Sequence, residues 1–181
     1  MLNRNDPFRT EYLQDVQRRF QSLKELGEGA IKQVADADLG VPLGPEENSL
    51  AIQIQHLAGN MRSRWTDFLT SDGEKPERNR DAEFDLRTPP DREILLARWE
   101  GGWDILFQTL AALTPEDLDA TVRIRGEPHS VVEAVNRKLS HYAYHVGQMV
   151  LISRHFVGSE WTSLSISRWK SEDYNRKMSK N

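Results

Sequence analysis

His141 and His145 stand four residues apart inside the longest apolar-periodic segment of the chain. Residues i and i+4 stack on one face of a helix, with their side chains pointing the same way. Two neutral imidazoles so placed can share one transition metal, provided a third ligand arrives from elsewhere. His56, in a separate helical segment, is the candidate for that third ligand. Three imidazoles around one divalent ion leave its charge uncompensated and a coordination position open. Such a centre acidifies a thiol or water drawn into the open position. Zinc and nickel suit it best, and iron(II) and manganese also accept imidazole.

The competing reading makes the histidines solvated boundary residues. On a helical wheel Val131, Val135, Leu139, Tyr142, Val146 and Met149 form the core stripe, and His141 and His145 fall roughly 90 to 130° from its centre. His56 is likewise next to the stripe residue Leu57 and not on it. No Glu follows His141, so the zincin motif is absent. The residues three before the helical histidines are Gln53, Lys138 and Tyr142, which speaks against a carboxylate-bridged di-iron bundle. Two neighbours are weaker candidates for chemistry: Gln148, to orient a ligand, and Tyr144, as an acid or as a pocket wall. His155 lies fourteen residues past His141, roughly 21 Å along a helix, and belongs to the helix end. His129 could reach the site only through loop geometry.

These residues need helices to hold them. Four segments carry helical periodicity: 6–34, 48–69, 89–113 and 130–156. Asp6 with Pro7 starts the first, Asn48 or Ser49 the second, and Thr88-Pro89 the third. Ser130 and Glu133 form a capping box that starts the fourth, and Gly158 follows its end. Trp99 and Trp103 read as core. Gly101-Gly102 between them calls for either a kink or the close approach of a neighbouring backbone, at a cost of about 2 kcal/mol against two alanines. Residues 70–88 are polar and long for a bundle connection, hence either a crossover or a mobile loop. Thr114 to Asp117 looks like a cap on a short turn. Thr121–Arg125 alternates as a strand does, with Gly126, Glu127 and Pro128 as its turn. The tail 159–181 ends charged and is expected to fray. The expectation is a single domain over 1–181: an all-α four-helix bundle with a long crossover and a short β-hairpin before the fourth helix.

The chain of 181 residues is long enough for one sizeable core, and its net charge of −4 argues against nucleic acid as the main partner. No apolar run approaches the roughly twenty residues of a membrane span. The absence of cysteine removes disulfides, thiolate ligands and a cysteine nucleophile, and with no signal-like start the expectation is a cytoplasmic protein.

One histidine in the second long helix, a His-x-x-x-His pair in the fourth, and a Thr-Pro-Glu-Asp turn before a short strand together resemble the DinB superfamily of four-helix bundles. The stretch Arg125 to His129 and the pair Gly147-Gln148 fit as well. The tail Trp161, Leu164, Ser165, Ile166, Arg168 is similar to a functionally uncharacterised branch of that superfamily, although Ser167 and Trp169 replace the more usual Pro and Gly. The resemblance covers nearly the whole chain. It implies one divalent metal on His56, His141 and His145, a long crossover, and a homodimer. Characterised members include thiol-dependent transferases and isomerases that use small thiols such as bacillithiol or mycothiol. The leading expectation is therefore a metal-dependent small-thiol transferase or metal-assisted hydrolase. The alternative is a non-catalytic dimeric stress or binding protein with a structural or vestigial metal site. An open coordination position would separate the two, since a structural site is closed by a fourth protein ligand.

Overall fold

The computed structural model describes residues 6–85 and 91–179. Four long helices dominate: α1 (Pro7–Gln33), α2 (Leu50–Trp65), α3 (Arg92–Ala112) and α4 (Val131–Val157). Their ends follow the capping chemistry of the residues there. The Asp6 carboxylate accepts from the Phe8 amide at 3.0 Å, and Ser49 accepts from the Ile52 amide at 3.3 Å. Ser130 and Glu133 satisfy each other's amides at the start of α4. At its end Gly158 takes φ 60°, where a residue with Cβ is strained. α2 lies against α3, and α1 against α4. The hairpin β1 (Thr121–Ile124) and β2 (Glu127–Ser130) joins α3 to α4, pairing Val122 with His129. The chain is thus an all-α bundle with a long crossover and a short hairpin.

Aromatic rings fill the centre. Phe20 packs edge-on to Trp65 with centroids 5.8 Å apart, and tilts against Tyr142 at 5.9 Å. Trp99 and Trp103 are fully buried, as their place in the apolar stripe requires. The Tyr142 hydroxyl accepts from Trp65 Nε1 at 3.0 Å and donates to Asn60 Oδ1 at 3.1 Å, so this buried hydroxyl is satisfied. Gly102 answers to close approach: a Cβ there would stand 3.1 Å from the Ala58 Cα of α2, whereas one at Gly101 would meet open space.

Several boundaries differ from expectation. The second helix ends at Trp65, not near Leu69. Thr66 turns extended and Asp67 takes φ 49°, and the Asp67 carbonyl then collects the amides of Thr70 and Ser71 at 3.0 Å. The hairpin turns on two residues, Arg125 (φ 56°) and Gly126 (φ 78°), not on Gly126 to Pro128. Positive φ at both positions gives the tight turn whose twist matches the strands. The tail is not frayed over its described residues but forms α5 (Ser171–Met178), where Lys170 and Arg176 pair with Asp173. The helix start expected at Thr88-Pro89 lies outside the described residues, and α3 opens at Arg92 after Asp91.

The crossover is pinned along its length. The Asp72 carboxylate accepts from the Glu74 amide at 2.7 Å and, across the fold, from the amides of Arg125 at 2.8 Å and Gly126 at 2.7 Å. The Gly73 amide donates to the Arg123 carbonyl at 2.8 Å. Ser63 and Arg64 of α2 both donate to the Gly73 carbonyl. Thus tethered to α2 and the hairpin, the segment runs to a 3₁₀ turn, Asp81–Glu83, set against α2.

Candidate metal centre

α2 and α4 bring His56, His141 and His145 together. The ring centroids lie 4.8 Å apart for His56 and His145, 5.5 Å for His56 and His141, and 4.5 Å for His141 and His145. One ring nitrogen from each lies within 4.8 Å of the other two, and the three can hold a metal ion. Among the described residues this group contains no carboxylate.

The wheel placed all three at the boundary of their helices, yet His56 is 4% and His145 8% exposed. A wheel records only a helix's own stripe. Here the crossover adds a further wall: Phe84, just after its 3₁₀ turn, tilts against His56 at 5.0 Å.

Each of the two buried rings has a hydrogen-bond partner on one nitrogen. His56 Nδ1 is 2.9 Å from Glu83 Oε2, and since a carboxylate only accepts, Nδ1 carries the proton. His145 Nδ1 donates to Gln53 Oε1 at 2.7 Å, and Gln53 Nε2 donates onward to Gln148 Oε1 at 2.8 Å. Both contacts leave Nε2 with its lone pair free, the arrangement by which outer hydrogen bonds fix a ligating imidazole. His141 Nε2 is buried with no hydrogen-bond partner. An orphaned buried nitrogen is costly, and a metal ion would satisfy it.

Burial keeps two of the three donors, His141 and His145, neutral. Burial, reinforced by His145, Lys138 and His56, pushes His141 down to about 3. Burial, with His56 and Arg80 beside it, pushes His145 down to about 4. At neutral pH neither ring has a proton to displace before giving its lone pair to a metal. Burial alone would raise Glu83, but hydrogen bonds from His56 and Arg78 outweigh it and hold the carboxyl below its usual range. Arg78 grips it through both oxygens, Nε at 2.8 Å and Nη2 at 2.9 Å. Glu83 is therefore a fixed anion and a poor proton acceptor.

The histidines line a cavity of about 510 Å³, walled in part by Tyr144, Phe84 and Arg80. Tyr144 is 67% exposed, its ring edge-on to His145 at 5.1 Å. Gln148 stands two hydrogen bonds out from His145. Neither His129 nor His155 joins the cluster: His129 sits on β2, 3.4 Å from Arg137, and His155 lies against Phe156. Sequence reasoning missed Glu83 altogether and noted Gln53 only as a position that is not Glu. The i+3 relation to His56 marked Gln53, while nothing local marks Glu83, 27 residues away in a segment without periodicity.

Among the described residues no helix is long and apolar enough to cross a membrane. No curated protein matches the chain. Residues 7–170 match a family model described as a protein of unknown function, DUF1572. That span takes in every helix of the bundle and all three clustered histidines and stops just before α5, and the chain belongs to this family.

Proposed function

We propose that His56, His141 and His145 bind one divalent metal ion, and that the protein is a metal-dependent enzyme of the DinB superfamily joining a small thiol to an electrophilic substrate. The observation that carries this is three converging imidazoles with their hydrogen-bond partners behind them and a cavity in front. A metal held there would act as a Lewis acid, lowering the pKa of a thiol placed against it. The remaining contributions come from the chain. Glu83 and Gln53 fix the tautomers of His56 and His145. Gln148 steadies Gln53, and Tyr144 and Phe84 wall the space where the substrate sits. With no cysteine in the chain, the nucleophilic sulfur is external. It forms a bond to the electrophilic carbon, the leaving group departs, and the thiol proton passes to solvent. Water in place of the thiol would give hydrolysis. Among the described residues the cluster offers three imidazoles, one fewer donor than a closed four-coordinate structural site takes, which favours the enzyme reading.

The test is metal content by mass spectrometry after purification without a His-tag or chelators, for the wild type and for His145→Ala. About one equivalent per chain in the wild type, lost in a folded His145→Ala, is expected. The metal-loaded wild type, and not the variant, should then accelerate attack of a small thiol on a chromogenic haloarene. A wild type that takes up no metal on reconstitution overturns the reading.

A further inference from the structure

The cavity in front of the histidines is basic in a protein whose net charge is −4. Arg64, Arg78, Arg80, Arg125, Arg137 and Lys138 line it, and no Asp or Glu does. Among the described residues only two carboxylates come within 3.6 Å of these cations, and both are already shared. Glu74 accepts from Arg64 at 2.7 Å and from Arg125 at 2.8 Å, with Arg78 at 3.6 Å. Glu83 is taken by Arg78 and His56. Arg80 lies over the Phe84 ring at 4.8 Å and approaches the exposed Asp81 only to 3.9 Å. Arg137 has a histidine nitrogen for company and no carboxylate.

Lys138 is the sharpest case. Over the whole residue it is 6% exposed, it lines the cavity, and among the described residues no hydrogen bond or ion pair holds its ammonium. Its stem is packed away, so its ammonium faces that space with no protein anion in contact. Burial, with Arg64, Arg137 and Arg78 adding repulsion, pushes its pKa down to about 7. An anion in the cavity would relieve that repulsion. Guanidinium forks and an ammonium together match the planar or tetrahedral oxygens of a carboxylate or phosphate.

We infer that the cavity binds an oxyanion group of the substrate, a carboxylate or a phosphate, between Lys138, Arg64 and Arg137, with Arg80 and Arg125 at its rim. Lys138 precedes His141 by three residues, so their backbones stand roughly 4.5 Å apart along α4 and both side chains line the same cavity. The substrate class is a small molecule that carries a carboxylate or phosphate beside its reacting group. This deepens the proposed function and rests on it for the chemistry, but anion binding is measured without it.

The experiment is calorimetric titration of inorganic phosphate and of succinate, at low ionic strength, into the full chain. The proteins are the wild type, Lys138→Met, Arg137→Met, His145→Ala and the charge control Arg18→Met, on the outer face of α1. Wild type and His145→Ala should bind at least one of the two anions alike, and which one separates phosphate from carboxylate. Lys138→Met should weaken binding at least about tenfold, as truncating one partner of a buried charge contact does. Its helical circular dichroism and melting should hold, since methionine keeps the packed apolar stem. Arg137→Met should weaken binding less and Arg18→Met not at all. Equal affinities for Lys138→Met and Arg18→Met, or no binding of either anion to the wild type, overturn the inference. Binding that survives Lys138→Met but vanishes in His145→Ala would place the anion on the metal and also overturn it, leaving the proposed function intact. A wild type that takes up no metal on reconstitution yet binds phosphate through Lys138 would sink the proposed function and sustain the inference.

Discussion

His56 and His145 occupy equivalent places in the cluster but are held by opposite means. His145 leans on Gln53, a neutral amide on α2, braced in turn by Gln148 on α4. That support stays within the packed helices. His56 leans on Glu83, an anion delivered by the crossover and clamped there by Arg78. That support is charged, and it hangs on a connection from outside the bundle. An amide holds a ring in place without changing its charge balance. A carboxylate also makes the imidazole a stronger donor, at the cost of needing a cation to balance it. The bundle supplies the geometry of the site, and the crossover supplies its tuning.

Glu83→Ala breaks the charged support and should do the most damage. It leaves Arg78, whose side chain is 6% exposed, without its bidentate partner. Loss of one member of a buried pair costs about 3 kcal/mol, and loss of an outer carboxylate weakens metal binding about 10- to 100-fold. Urea unfolding and competition with a chromophoric chelator measure the two effects. Values within error of the wild type would mean that Glu83 supports nothing.

Gly59→Ala reaches the same contact without touching a charge. A Cβ there would stand 2.8 Å from the Glu83 Cδ and closer still to Oε1, so the carboxylate must move off His56. The expected cost is about 1 to 2 kcal/mol. Metal affinity should fall in the same direction as in Glu83→Ala, and unchanged affinity would break the link between crossover position and site.

Gln53→Met tests the neutral support and should be milder, about 1 kcal/mol in stability. Metal affinity should drop about tenfold, at the low end for an outer partner. If Gln53→Met proves worse than Glu83→Ala, the contrast between the two supports is inverted.

The smallest effect is one of pH. Hydrogen bonds from the amides of Glu74, Gly126 and Arg125 hold Asp72 below its ordinary carboxylate value. A carboxyl depressed by folding contributes stability that is complete above its unfolded pKa, about 4, and is lost as the pH falls through the folded value. Protection of the Gly126 amide against hydrogen exchange should therefore be steady from pH 8 to 5 and decline only in acid below about pH 4. A decline near pH 6 would point to a different anchor for the crossover.

How far the sequence foretold this architecture depends on the distance over which each feature is determined. The helix starts at Asp6, Ser49 and Ser130 are decided within three residues by capping, and all were legible. The pair His141 and His145 was legible because the two share a helical face; His56 was a candidate from its helical segment, and the resemblance to a known family completed the set. Their burial was not, since it comes from a wall, Phe84 and the turn before it, that no helical wheel contains. Glu83 was invisible for the same reason. The early end of α2 hangs on a left-handed Asp67, a conformation that the local pattern does not announce. Lys138 was named only for failing to be a glutamate, and its meaning emerged when Arg64 and Arg137 were found beside it.

The tether between Asp72 and the hairpin turn bears on the order in which the molecule assembles. It joins residues 54 positions apart, Asp72 before α3 and Gly126 after it. Such a loop closes only after α3 and the hairpin exist, because chain entropy opposes distant contacts until nearer ones have formed. The Glu83–His56 contact spans only 27 residues and closes a shorter loop than the tether does. The tether joins the hairpin turn, 54 positions on, to the same segment that carries the anion behind His56. A change in the turn would be felt at the histidines through that one strap of chain.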